Sequence, residues 1–242
     1  MSLTFTRPTA LLLIDAQNGF AVDPNTPSHW GTQRSNPKLE PNLSALLGAF
    51  RTAKSNSESN KLTRGEIQIV HVYHSSTTPG SPLHPSADDG RGIQPLDIVK
   101  PAADGSEPVL WKTVNSAFIG TELESYLRGN GIRQLVVAGI TTDHCVSTSV
   151  RMAANLGVVD RYLDGEGVKR GGPVVLADGA QEEEVVNVDK GRIVLVGDAT
   201  ATWAKGGFDA ETVHAVTLAS LDGEFADVVS TEEVIKSLQS GI

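Results

Sequence analysis

The chain is short of cysteine, of long apolar runs and of positive charge, and each shortage removes a class of protein. Its 242 residues include one cysteine, Cys145, so no intramolecular disulfide can form and a Cys-x-x-Cys metal or redox centre is excluded. A reducing, cytoplasmic location fits that usage. Near the amino end the apolar run Ala10 to Ile14 spans five residues before Asp15 interrupts it, well under the roughly 20 that a spanning helix requires. No export signal and no membrane partner are expected. Lys and Arg number 20 against 29 Asp and Glu, a net charge of −9. Such a balance opposes nucleic acid and anionic membranes, which are repelled before specific contacts form. No internal repeat is visible. The glycine-rich stretch Gly165 to Pro173 lacks the GK[ST] that completes a phosphate loop and reads as a flexible turn.

What is present is ordinary globular material. Hydrophobic residues make up 39% of the chain and glycine adds 24 more positions, an apolar share typical of a folded soluble domain. Short apolar runs at Ala10 to Ile14, Ile67 to Tyr73, Val109 to Trp111, Leu135 to Ala138, Ile193 to Val196 and Val228 to Val229 read as buried strands. Helical patterns fall between them at Leu43 to Lys54, Thr121 to Arg128, Asp143 to Leu156 and Asp209 to Phe225, with a last one from Thr231 to Leu238. Alternation of this kind predicts an α/β fold: a three-layer α-β-α sandwich around a mostly parallel sheet of about six strands with helices on both faces. Ligands of such sheets bind beyond the carboxyl ends of the strands. The length, about 1.6 times a typical ~150-residue domain, is read as one domain over residues 1–242 with two additions. Residues 75–108 hold six of the twelve prolines and form a lid-like loop expected to cover the active face. Residues 158–190, with the acidic Glu182, Glu183 and Glu184 and a possible hairpin from Pro173 to Asp189, form an insertion.

Chemistry concentrates in QLVVAGITTDHCVSTSVRMAANLG, residues 134–157. An apolar strand runs to Gly139, and a helix is predicted to start at Thr142 or Asp143, both good N-caps, and to end before Gly157. Cys145 then lies in the first helical turn, where free amides and the positive end of the helix dipole favour a thiolate over the ordinary thiol of pKa about 8.5. The same amides suit an oxyanion. A lone cysteine is otherwise a small buried hydrophobe; the strand-turn-helix position favours a nucleophile. A thiol nucleophile requires a proton acceptor and a charge partner. Asp15, at the end of an apolar strand on the same sheet edge, is a candidate for the first, although a lone Asp there can equally cap a turn. Lys112, just after the strand Val109 to Trp111, is a candidate for the second, although a lysine is usually a solvated charge. His144 is adjacent in sequence to Cys145, so the two side chains do not face each other; it reads as pocket wall or as structural.

Four blocks, LLLIDAQNGF, WKTVNSAFIGT, VVAGITTDHCVSTSVRMAANLG and VLVGDATAT followed by HAVTLASLDGEFADVVSTEEV, occur in an order that resembles the isochorismatase-like cysteine hydrolases. The resemblance implies a catalytic triad of Asp15, Lys112 and Cys145, cleavage of a carboxamide through a thioester, and assembly as a homo-oligomer. It also implies a cis peptide between Ile140 and Thr141, with the amides of Thr141 and Cys145 as oxyanion hole. Phe20, Trp111 and Phe118 are placed around the cleft, with Gln17, His74 and His144 nearby as substrate-binding residues. Isochorismate hydrolases of the type put glycine where Cys145 stands, so the thiol here favours amide chemistry on a small-molecule amide substrate. Nicotinamidases of the family carry an Asp-x-His metal pair. The corresponding HVYHSSTTPGSPLHP has His71, His74 and His84 without that Asp, and odd spacing puts His71 and His74 on opposite strand faces. No metal and no cofactor are expected. A metal-assisted nicotinamidase and a non-catalytic binding relative stand as the alternatives. Asp198, Thr200 and His214 read as structural.

Overall fold

The computed structural model describes residues 3–22, 28–31, 33–59, 66–162 and 188–240. Six strands form one sheet: β1 (Thr9–Ile14), β2 (Ile67–His74), β3 (Val109–Lys112), β4 (Gln134–Ile140), β7 (Arg192–Ala201) and β8 (Asp227–Val229). A separate antiparallel pair, β5 (Arg161–Tyr162) with β6 (Val188–Asp189), joins the two ends of the insertion. The hairpin expected at 173–189 lies, up to Asn187, outside the described residues.

The sheet order is β3-β2-β1-β4-β7-β8, and every pairing in it is parallel. The chain winds outward from β1 to β3, then returns to the other side of β1 and winds outward again through β4. The strand order therefore reverses between β1 and β4, and a crevice opens there at the carboxyl edge. Asp15 follows β1 and Cys145 follows β4, so both emerge at this switch point.

Alternation along each strand feeds two cores, because successive side chains point to opposite faces. Leu11, Leu13, Val136, Ala138, Val194 and Val196 face α1 (Leu39–Ser59) and α5 (Thr231–Ser240). Ala10, Leu12, Ile14, Val70, Val72, Leu135 and Val137 face α2 (Leu123–Gly129), α3 (Ser147–Leu156) and the end of α4 (Ala210–Ala219). β1 is buried along its whole length, as a central parallel strand must be.

The helix boundaries differ from the sequence expectation for local reasons. α1 starts earlier, at Leu39, with Pro41 in its first turn, where no intrahelical N–H is required of it. α4 stops at Ala219 rather than Phe225 because the chain turns through Gly223 at φ 74°. The Asp209 side chain caps α4, accepting from the Thr212 amide at 2.9 Å. Asp198 ties β7 to α5, accepting from both the amide and the hydroxyl of Thr231 at 2.7 Å. No helix among the described residues is long and apolar enough to cross a membrane.

Candidate active site

Three strand ends deliver three functional side chains. Beyond β1, the Asp15 amide still donates to Val72 O at 2.8 Å, but its backbone turns left-handed at φ 51°, a conformation that Asp tolerates better than most residues. Beside it, Gly139 of β4 sits at φ 130°, and a Cβ there would lie 2.0 Å from Ile14 O; only glycine lets β4 pass so close to the turn that carries Asp15. Lys112 ends β3, directly opposite His74 of β2 in the parallel register. The Ile140–Thr141 peptide at the end of β4 is cis.

Cys145 sits in a π-helical turn, Thr142–Val146, that precedes α3, and not in the first turn of a regular α-helix. No side chain caps this turn. Asp143, expected as a cap, is drawn away by tertiary partners and accepts from Thr202 Oγ1 and from Lys205 Nζ. The far end follows the sequence, with Gly157 closing α3 in the left-handed conformation.

At the base of the crevice Lys112 Nζ donates to Asp15 Oδ2 at 2.7 Å, to Val114 O at 3.1 Å and to Cys145 Sγ at 3.3 Å, and meets His74 Nδ1 at 3.2 Å. Lys112 and Asp15 are essentially inaccessible to solvent. Asp15 Oδ1 and Thr141 Oγ1 are the buried side-chain polar atoms without a hydrogen-bond partner among the described residues, and both lie at this site. Buried unpartnered oxygens are uncommon enough to call for a function.

The electrostatics reverse one expectation. Burial pushes the Cys145 thiol well above its ordinary value, and the neighbouring Asp15 carboxylate pushes it further; Lys112 opposes both. The helix-start effect expected to favour a resting thiolate is outweighed, because the thiol is buried beside a negative charge. Burial likewise raises Asp15 above the usual carboxylate range, with Lys112 pulling it back. A thiol that keeps its proton beside a carboxylate of raised basicity is suited to proton transfer between the two. His74 is lowered to about 4, first by burial and then by Lys112, so its ring is neutral at pH 7.

Above this base lies a cavity of about 310 Å³ whose floor is His74, Thr141 and Cys145. Phe20, Trp30 and Trp203 make one wall, with Phe20 stacked on Trp30 at 4.8 Å between ring centroids. Ser76, Thr78, Ser81 and Leu83 of the 75–108 loop make another, and Asn115, His144, His29 and Lys205 complete it. The loop is docked by backbone hydrogen bonds, Asn18 to Gln94 O, Gly19 to Gly92 O and Leu96 to Ala16 O, each of 2.7–2.9 Å.

Of the residues expected to bind substrate, Phe20, His74 and His144 line the cavity, and Gln17, Trp111 and Phe118 do not. Gln17 is fully buried and clamps His74. Trp111 adjoins Lys112 on a strand, so its side chain takes the opposite face, where it is 46% exposed and packs on Tyr73. Phe118 packs into the apolar layer with α2 and α3. The residues missed in sequence, among them Trp30, Trp203, Asn115 and Lys205, sit in loops far apart along the chain. Two offered a signal: Asn115 lies within WKTVNSAFIGT, and Trp203 is the aromatic that follows VLVGDATAT.

The histidines do not gather into a metal site. His71 Nε2 lies 2.9 Å from Glu107 on the opposite strand face, and His84 Nδ1 lies 2.7 Å from Ser86 Oγ. Asp15, His74 and Cys145 do bring donor atoms within 4.8 Å of one another, but the Lys112 ammonium stands within hydrogen-bond distance of all three and already supplies the cation. His214, buried, shares a 2.9 Å hydrogen bond with Thr142 Oγ1, a structural role.

The result is a doubly wound α/β fold with Asp15 and Cys145 at its switch point and Lys112 reaching them from the end of edge strand β3. The chain belongs to the isochorismatase family: the isochorismatase domain model matches residues 9–181. The isochorismatase family protein YrdC of Bacillus subtilis (strain 168) is 33% identical over 93% of this chain and 94% of its own. A solved protein of the isochorismatase family from Chromobacterium violaceum superposes with a TM-score of 0.70 at 29% identity, covering 99% of this chain and 97% of its own. The ureidoacrylate amidohydrolase RutB of Rhizobium rhizogenes is 37% identical over 45% of this chain and 39% of its own.

Proposed function

We propose that this protein is a cysteine-dependent hydrolase of a small carboxamide or related C–N bond, working through a thioester on Cys145. The observation that carries this reading is the placement of Lys112 Nζ between Asp15, at 2.7 Å, and Cys145 Sγ, at 3.3 Å, under a cavity of substrate size. Asp15 takes the thiol proton as Sγ attacks the carbonyl carbon. Lys112 stays charged and stabilises the thiolate as it forms. The amides of Thr141 and Cys145 receive the oxyanion. Collapse breaks the C–N bond, and Asp15 returns the proton to the departing ammonia or amine. Water, deprotonated by Asp15, then cleaves the thioester to a carboxylic acid and the free thiol. The name of RutB, an amidohydrolase, supports amide chemistry.

The chain is read as one hydrolase domain in a reducing compartment such as the cytoplasm, where the lone thiol stays reduced. It is also read as a homo-oligomer, supported by the exposed apolar Val109, Trp111, Val114 and Ile119 on edge strand β3 and the loop after it. Turnover of a panel of small amides, ureides and nicotinamide, followed by ammonia release and repeated with Cys145→Ala, tests the reading. Release by the wild type and its loss in the variant, with the fold intact by circular dichroism, is expected. Undiminished release by the variant overturns the thiol mechanism.

A further inference from the structure

We infer that His74 is a positioning residue that acts through Lys112: its Nδ1 holds one Lys112 proton while Cys145 is a thiol and gives it up when the thiolate forms. The inference rests on the reading of Lys112 as charge partner of Cys145.

The register of β2 and β3 sets His74 and Lys112 side by side. We assign the ring proton to Nε2, so that Nδ1, 3.2 Å from Lys112 Nζ, is the acceptor. The His74 backbone is held from behind. Gln17 Oε1 accepts from the His74 amide at 2.8 Å, while Gln17 Nε2 donates to His74 O at 3.0 Å and to Ile93 O at 2.8 Å. A fully buried glutamine that spends both donors and its oxygen on one neighbour and the 75–108 loop fixes where the His74 backbone leaves β2, and so where its side chain starts.

Proton counting supplies the mechanism. Lys112 has three N–H bonds to give, yet four acceptors lie within reach: Asp15 Oδ2, Val114 O, His74 Nδ1 and Cys145 Sγ. A neutral thiol is a weak acceptor, so the 3.3 Å donation to Sγ is the weakest of the four and at rest the three protons are held mainly by the other three. Once Sγ becomes a thiolate it competes for one of them. Asp15 is charged and closest, and Val114 O is fixed by the backbone two residues on. His74 is the neutral side-chain acceptor that yields. Its ring stays neutral down to about pH 4, through burial and the adjacent Lys112, so this acceptor is present throughout the working range. The charged and titratable groups facing the thiol are Asp15 from the end of β1, His74 from β2 and Lys112 from β3, with Asp143 and His144 on its own turn and Lys205 paired to Asp143.

The test is the pH dependence of iodoacetamide alkylation at Cys145, read by intact mass, in the full chain carrying His74→Leu or His74→Asn. Leucine removes the acceptor and leaves a Lys112 proton free for the thiolate, so the alkylation midpoint should fall by about one pH unit, the effect of one hydrogen bond to a charged group. Asparagine puts an amide oxygen near the place of Nδ1 and should hold the midpoint within a few tenths of wild type. If His74→Leu fails to fold by circular dichroism, His74→Gln, whose amide falls near the place of Nε2, replaces it with the same downward shift expected. An unchanged or raised midpoint in the acceptor-free variant, or an equal shift in His74→Asn, overturns the inference. Alkylation needs no amide substrate, so failure of the amide panel leaves this result readable by itself.

Discussion

Cys145 keeps its proton at rest because it is buried and because Asp15 is negative beside it. The two partners of the thiol therefore have opposite influences that mutation separates. In Asp15→Asn the repelling charge is gone, so alkylation of Cys145 at pH 7 should speed up several-fold, while amide turnover falls by about 10²- to 10⁴-fold for want of a base. In Lys112→Met both rates should fall. Iodoacetamide kinetics beside ammonia release distinguish these patterns, and full turnover by Asp15→Asn would remove Asp15 from the chemistry. The three residues were legible in sequence because Asp15 and Lys112 stand where apolar runs end, which in a parallel sheet is the ligand edge, and Cys145 stands in the turn that follows another such run. Trp30, Trp203 and Asn115 were not, because their shared cavity is made by loops from distant parts of the chain. Trp111 misled because adjacency to Lys112 on a strand means the opposite face.

Among the elements, the central strands were legible from apolar runs alone, since β1 and β4 are buried on both faces; the edge strands β3 and β8 are less buried and show only as shorter runs. The π-helical turn around Cys145 was not, since Thr142 and Asp143 make a respectable N-cap by local rules and are diverted only by Thr202, Lys205 and His214 from across the fold. Gly139 is where β4 and β1 meet most closely. Gly139→Ala, with its Cβ 2.0 Å from Ile14 O at φ 130°, should cost more than about 2 kcal/mol in urea unfolding and displace Asp15. Unfolding within 0.5 kcal/mol of wild type, on the scale of a neutral substitution, would contradict the account of that contact.

The covering loop is anchored at its far end by Glu107. Burial alone would raise this carboxyl, but hydrogen bonds from Arg51, His71 and the Ala102 amide outweigh it and bring it down to about 2 from the ordinary 4.5. A depressed carboxyl stabilises the fold above its unfolded value, and that share fades as pH falls from about 4.5 toward 2. It amounts to at most about 3 kcal/mol. Glu107→Gln should therefore unfold more easily than wild type at pH 7, with the gap narrowing by pH 3. A gap independent of pH would show that the charge is not what anchors the loop.

At the scale of the molecule, the net charge of −9 does not describe the pocket, where none of the lining residues is a carboxylate. A cation, Lys112, stands instead beneath it, buried against Asp15 and Cys145. The surface exposes Trp111 beside the short edge strand. Trp111→Glu should shift the sedimentation of a self-associated form toward single chains; an unchanged sedimentation coefficient would place any interface elsewhere. In the proposed mechanism Cys145 becomes acylated. Rapid quenching of the protein with a substrate that it turns over, followed by intact mass and peptide mapping, reads this directly. A transient adduct on Cys145 with the mass of the acyl group is expected, labile to hydroxylamine and lost in Cys145→Ala together with turnover. Steady turnover with no adduct, persisting in Cys145→Ala, would contradict it.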